Sequence, residues 1–234
     1  NLSKMIEREG ADTVAAFIAE PAMGAGGVLL PPATYFEKIQ KVLKDNEILF
    51  IADEVITGFG RVGKAFAAER FNVIPDIITT AKGLTNGAIP MGAVFVKGSI
   101  YEAFMQGPGH GIELFHGYTY SGHPVAAAAA LAALDIYQQE NLFERTIELE
   151  SYWEEAVHSL KGLPNIIDIR NYGLIAGIEF SSREGNPGAR VFDIFTRCFH
   201  EEGLLIRPSV DIIALSPPLI IEKAQIDQIF ETLS

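Results

Sequence analysis

The sequence predicts an α/β fold: part of a large domain built on a mostly parallel sheet, followed by a small α/β domain. Three observations carry this. Short apolar runs alternate with amphipathic stretches through the first half of the chain, the pattern of strands joined by helices. These runs are apolar on both sides rather than alternating, as in a sheet covered on both faces. Past residue 140 the pattern changes to long helices and short strands, which places a boundary within helices and divides the chain into 1–140 and 141–234.

The elements follow in order. Thr13–Ala19 reads as a buried strand. Pro31, Pro32 and Thr34 open a helix through about Lys44, with Tyr35, Ile39 and Val42 on one face. Ile48–Ala52 is a second strand ending at Asp53, Ile74–Thr79 a third ending just before Lys82, and Ala93–Val96 a fourth. Pro124–Gln139 is an alanine-rich helix, and the helical pattern resumes over Leu142–Leu160. Ile166–Arg170 and Leu174–Phe180 are strands around Asn171-Tyr172-Gly173. Ala189–Glu202 is a helix stopped by Gly203, Leu204–Arg207 and Ile212–Leu215 are short strands, and Glu222–Leu233 is the last helix.

Composition narrows the partners. With 48% hydrophobic residues, the 234-residue chain can bury a sizeable core. Its 18 basic and 30 acidic side chains give a net charge of −12, which disfavours nucleic acid and anionic membranes as partners. No apolar stretch reaches the roughly 18 residues of a membrane-spanning helix. Cys198, the single cysteine, leaves no internal disulfide or cysteine cluster, and a cytoplasmic setting is expected. Asn1 stands where an initiator Met would, so the chain reads as processed, truncated or partly observed.

Gly58-Phe59-Gly60-Arg61-Val62-Gly63 matches the dinucleotide pattern GxGxxG, and Lys64-Ala65 brings it near a phosphate-binding loop. Context opposes both. Five residues, Asp53–Thr57, separate the strand end from Gly58, no clean helix opens after Gly63, and Ala65 cannot hold magnesium. The run reads as a turn whose glycines allow positive φ, and so does Gly24–Gly27.

Asp53 and Lys82 lie beyond the ends of two apolar strands, where ligands gather in open α/β sheets. Small residues flank Lys82, leaving room at its amine. A lysine in a pocket loses hydration, and its free amine becomes a nucleophile suited to imine chemistry with an aldehyde. Pyridoxal phosphate supplies such an aldehyde, and a carboxylate against its ring nitrogen keeps that nitrogen protonated; Asp53 is the candidate. From spacing alone, a strand-end aspartate and an ion-paired lysine explain the two residues equally well.

Longer runs decide between these. Phe17-Ile18-Ala19-Glu20-Pro21, Phe50–Arg61 (FIADEVITGFGR), Asp76–Gly83 (DIITTAKG) and His116–Pro124 (HGYTYSGHP) resemble class III pyridoxal-phosphate aminotransferases essentially end to end. The resemblance implies fold-type I and a set of roles. Lys82 would join the cofactor and move a proton between substrate and cofactor carbons. Asp53 would face the ring nitrogen and Val55 the ring. Thr119, with the Tyr118 backbone nearby, would reach the cofactor phosphate of a neighbouring subunit in a homodimer with shared sites. Glu20 would stand at the site edge. Leu204–Arg207 resembles the segment of ω-amino acid:pyruvate aminotransferases that carries the carboxylate-binding arginine, with Val210-Asp211 in place of the usual Gly-Asp. A fixed guanidinium suits a carboxylate, and Arg207 is taken as substrate-binding.

The expected reaction moves an amino group from an ω-amino acid or amine to pyruvate or a similar keto acid. Aminomutase and decarboxylase chemistries on the same scaffold are alternatives. So is a non-catalytic piece that packs and dimerises, because the resemblance begins inside the family pattern, after the phosphate loop and the aromatic that stacks on the ring. No histidines stand at i, i+4, and no metal is expected. Tyr137, Phe143 and Trp153 read as core or interface packing.

Overall fold

Strands β1 (Ala16–Ala19), β2 (Leu49–Asp53), β3 (Ile77–Thr80) and β4 (Ala93–Val96) form one sheet in that order. The computed structural model describes residues 1–234. β1, β2 and β3 run parallel, and β4 returns antiparallel against β3. The mostly parallel sheet is therefore present, with one reversed edge strand.

β1 and β3 each start three residues later than the apolar runs predict. Thr13 lies in a 3-10 turn over Ala11–Thr13, because its hydroxyl bonds the carbonyls of Glu9 and Gly10, each at 2.8 Å, in competition with a sheet ladder. At β3, Pro75 has no N–H to give. Asp76 instead ties strands together: its carboxylate accepts from the Phe50 N–H at 2.8 Å and pairs with Lys97 at 2.8 Å.

Helix α1 (Leu2–Glu9), not anticipated from the sequence, buries Ile6 and ends where the Gly10 N–H reaches the Ile6 carbonyl. Helix α2 (Tyr35–Asp45) buries Phe36 and Leu43, with Ile39 and Val42 packed beside them, while Tyr35 turns outward. Phe36, Ile39 and Leu43 share one face at helical spacing, so the true stripe is one residue away from the one read around Tyr35. α3 (Ala67–Arg70) and α4 (Gly98–Phe104) are short, and a long connection leads from α4 to α5 (Pro124–Gln139) and α6 (Leu142–His158). No helix is long and apolar enough to cross a membrane.

The second sheet is fully antiparallel, in the order β5 (Ile166–Tyr172), β6 (Ile175–Phe180), β8 (Ile212–Leu215), β7 (Arg207–Ser209). β5 runs two residues past Arg170, so the hairpin turn is Gly173-Leu174. Gly173 is required there: its φ is +53°, and a Cβ would lie 2.6 Å from the Val62 Cα. Helix α7 (Ala189–His200) ends two residues short of Glu202, and Gly203, at φ +67°, lets the Leu204 N–H close on the Cys198 carbonyl. Leu204–Ile206 is thus a connector, and Arg207 begins its strand rather than ending one. α8 (Lys223–Leu233) completes the chain.

Packing crosses residue 140. One cluster of 23 buried residues joins Phe59 and Leu84 to α5, α6, the second sheet and α8. Trp153 is fully buried in it, donating to the Ile175 carbonyl at 3.3 Å and packing edge-on against Phe230. A smaller cluster fills the space between α1, α2 and β2. Arg70 and Arg170 are among the side chains that fasten the halves. Arg70 makes two 3.0 Å bonds to Glu150, reaches the Tyr172 hydroxyl at 3.1 Å and the Val62 carbonyl at 2.8 Å. Arg170, paired with Asp168 and Glu179, reaches the other way to the carbonyls of Gly27 and Val28.

Candidate functional site

Asp53 and Lys82 come together at the carboxyl ends of adjacent parallel strands. Asp53 closes β2 opposite Thr79, and Lys82 opens a 3-10 turn, Lys82–Leu84, two residues beyond β3. The Asp53 Oδ1 accepts from the Val55 N–H at 3.0 Å, which orients the carboxylate and places Val55 beside it, half-buried. Neither Asp53 nor Lys82 takes part in an ion pair, so the structure does not hold the pairing that spacing alone left open.

The turn at Lys82 is held from several sides. Lys82 has φ +44°, in the left-handed region that a residue with a Cβ enters at a cost. Its carbonyl accepts from the N–H groups of Thr85 and Gly87, both at 3.3 Å. The Tyr137 hydroxyl donates to the Gly83 carbonyl at 2.6 Å, and the Thr85 hydroxyl to the Ile89 carbonyl at 2.7 Å. Gly83 has no room for a side chain, since a Cβ would come within 2.8 Å of the Phe59 Cβ. Burial pushes the Tyr137 phenol up, so it remains a donor. Tyr137 is a buried packing residue, as its sequence suggests, but its bond to the Lys82 turn has no sequence signal.

The glycine-rich run is a turn, as expected. Phe59 and Gly60 donate to the carbonyls of Ala65 and Lys64, and Gly60 and Gly63 have φ of +93° and +78°. Glu54, next to Asp53, anchors this turn. It is fully buried and accepts from the Thr57 hydroxyl and from the Ala67 and Ala68 N–H groups at 3.0 and 2.7 Å. Burial raises its carboxyl above the ordinary range, and those three donors oppose the rise. The Asp-Glu pair at a strand end was the available signal for it. Arg61 leaves the same turn for the second sheet, donating through Nη1 to the carbonyls of Leu174 at 3.2 Å and Pro217. It has no carboxylate partner, and burial pulls its guanidinium down to about 10.

A cavity of about 760 Å³ opens beside these elements. Lys82 and Arg207 both line it, with Arg61, Tyr137, Asn86 and Glu140. Arg207 stands at the start of β7 and is exposed on the cavity's open side. Lys82 is exposed as well, which corrects the desolvated amine expected from the sequence: the cavity is open above it, and its head stays in water. Asp53, Val55 and Glu20 lie outside the cavity wall. Glu20 accepts from the Gly24 N–H at 2.8 Å and so holds the Gly24–Gly27 turn. Tyr118 and Thr119 lie on the exposed connection before α5, where Tyr118 has φ +50° and its ring sits 4.7 Å from that of His116. They are not brought to the cavity within this chain.

Comparisons with known proteins bear on the family of the chain. The class III aminotransferase pattern matches residues 1–234. An omega-aminotransferase of Caulobacter vibrioides is 54% identical over 233 residues, covering 100% of this chain and 53% of that protein. A beta-alanine–pyruvate aminotransferase of Pseudomonas aeruginosa is 42% identical over 234 residues, covering 99% of this chain and 52% of that protein. Among solved structures, a thermostable (S)-enantioselective omega-transaminase from Thermomicrobium roseum superposes with a TM-score of 0.90 at 39% identity, over 99% of this chain and 52% of its own. The chain thus spans about half the length of the curated relatives it matches. The strand-end aspartate and lysine, the arginine facing the same cavity and the match along the whole sequence lead to one conclusion: the chain belongs to the class III aminotransferase family.

Proposed function

We propose that this chain carries the amine, the ring-nitrogen carboxylate and the substrate-binding arginine of a pyridoxal-phosphate-dependent transaminase. Its reaction moves an amino group from an ω-amino acid or amine to pyruvate or a similar keto acid. The observation that carries this reading is the placement of Lys82 and Arg207 on one cavity, with Asp53 at the end of the strand next to that leading to Lys82.

The residues fit the cofactor. The Lys82 amine is unpaired and exposed to a cavity large enough for a small aromatic ligand, and the Asp53 carboxylate is oriented but unpaired with any cation. When bound, pyridoxal phosphate supplies an aldehyde for amines and a ring that accepts electrons. The protein's part is acid–base and positional. The Lys82 amine is the group able to take a proton from the substrate carbon and return it to the other side of the reaction. Asp53 would be the group to face the ring nitrogen, since a carboxylate raises the proton affinity of a nearby base. Val55 would supply apolar contact to the ring. Arg207 offers a planar pair of donors to a substrate carboxylate, fixing the end of the donor away from the reacting amine.

In this reading residues 1–140 belong to the cofactor domain and 141–234 to a small domain. Tyr118 and Thr119 serve the site of a second subunit in a homodimer, which their exposure supports, as does that of Phe115 and Tyr120 at 88% and 86%. Glu20 acts at the site edge through the Gly24 turn. A cytoplasmic setting suits a chain whose single thiol is buried and unpaired.

The test is chemical. The protein is incubated with pyridoxal phosphate, reduced with borohydride and digested, and the modified peptide is located by mass. Label on Lys82, and loss of transamination in Lys82→Ala, is the expected result. Label spread over surface lysines, or none, overturns the reading.

A further inference from the structure

We propose that Arg61 is a positioning residue: it fixes the separation of Lys82 from Arg207, and so sets how strongly the site favours donors that carry a carboxylate. The inference rests on the function proposed above and goes beyond it, since neither Asp53 nor Lys82 determines that preference.

Contacts run from one cavity wall to the other. On the lysine side, the Gly58-Phe59 part of the turn lies so close to Gly83 that a Cβ there would meet Phe59 at 2.8 Å and the Gly58 carbonyl at 3.4 Å. The turn and the residue after Lys82 therefore move together. Three residues after Gly58, Arg61 crosses to the other wall and donates to the Leu174 and Pro217 carbonyls. The Leu174 N–H returns a bond to the Arg61 carbonyl at 3.1 Å, so side chain and main chain of Arg61 both grip residue 174. Pro217 stands two residues past the end of β8, and β8 pairs with β7 in a register that sets Ala214 opposite Arg207. A shift at Pro217 is passed along that ladder to Arg207.

The chemistry of Arg61 suits a fixed strut. Its guanidinium bonds main-chain oxygens rather than a mobile carboxylate, and both bonds leave one nitrogen, Nη1, whose two hydrogens lie in the guanidinium plane. No carboxylate pairs with it. A lysine's ammonium is tetrahedral and would not hold the two carbonyls in that plane.

The experiment compares Arg61→Ala, Arg61→Lys and Arg207→Ala in the purified protein, with β-alanine and benzylamine as alternative donors. For Arg61→Ala, kcat/KM with β-alanine should fall about tenfold, mainly through KM, the size expected for a misplaced charge-assisted contact. With benzylamine it should change less than about threefold, and Lys82 should still be labelled. Arg61→Lys should fall between wild type and Arg61→Ala on β-alanine alone. Arg207→Ala should show the same preference change, larger. Equal losses on both donors, or an unchanged preference in a folded Arg61→Lys protein, overturn the proposal. Absence of Lys82 labelling in the wild-type protein instead overturns the underlying function. If Arg61→Ala does not fold, the preference of Arg61→Lys decides alone.

Discussion

Tyr137→Phe removes one oxygen from the site and nothing else. The ring that remains still stacks on Phe59, 6.4 Å between centroids, and packs tilted against Phe143 at 5.5 Å. What disappears is the 2.6 Å bond to the Gly83 carbonyl. A bond between neutral groups contributes about 1 kcal/mol net, and the Gly83 carbonyl keeps a second donor in the Asn86 N–H at 3.2 Å, so the loss stays at about 1 kcal/mol. Against this stands the left-handed backbone of Lys82, which costs about 1–2 kcal/mol. The two are of the same size, so the bond decides whether the turn keeps its shape. Tyr137→Phe should lower Tm by about 2–4 °C, at about 2–4 °C per kcal/mol for a chain of this size. Since about 1.4 kcal/mol is a factor of ten, it should also slow borohydride-trapped labelling of Lys82 by up to about fivefold. Thermal melting and a timed labelling series measure both. A lower Tm with an unchanged labelling rate would refute the link between Tyr137 and the lysine, leaving only packing.

Two further outcomes follow from contacts away from the cavity. Burial raises the Asp76 carboxyl, but Lys97 and the Phe50 amide outweigh it, and the group ends below the ordinary aspartate range. Its contribution is therefore present above about pH 4 and is lost as pH falls through the folded value. Asp76→Asn should cost about 1 kcal/mol at neutral pH and flatten the acid limb of the stability curve in urea titrations, and an unchanged acid limb would count against the contact. The Arg70–Glu150 clasp, about one-fifth exposed on each side, should give a coupling of about 1.5–3 kcal/mol in a double-mutant cycle of Arg70→Met and Glu150→Gln, whereas a value under about 0.5 kcal/mol would mark it as an ordinary surface pair.

Much of the candidate site was legible because it lies at strand ends. An apolar run that stops at a charged residue marks both the strand and the place beyond it, and this located Asp53 and Lys82. Strand starts were less legible. The Thr13 hydroxyl and the missing N–H of Pro75 withdraw backbone from the sheet through contacts that hydrophobicity does not register. The reversed direction of β4 and the outward turn of Tyr35 depend on neighbours far along the chain. Arg61, Arg70 and Arg170 were illegible for a related reason. Their partners include main-chain carbonyls up to 156 residues away, and a carbonyl leaves no trace in the amino-acid alphabet.

That last property shapes how the chain can vary. A clasp between two side chains is lost when either changes, so its two positions must drift together. Where an arginine grips main-chain oxygen, as at Val28 and Pro217, any residue that keeps the backbone path still presents the acceptor. The constraint then falls on one position of the pair. In a library of folded, active variants, positions 61 and 170 should stay fixed while their partners at 28 and 217 wander within the limits of packing. At these two arginines the join between the halves would leave no covarying pairs, and sequence comparison would detect it only through side-chain clasps such as Arg70–Glu150.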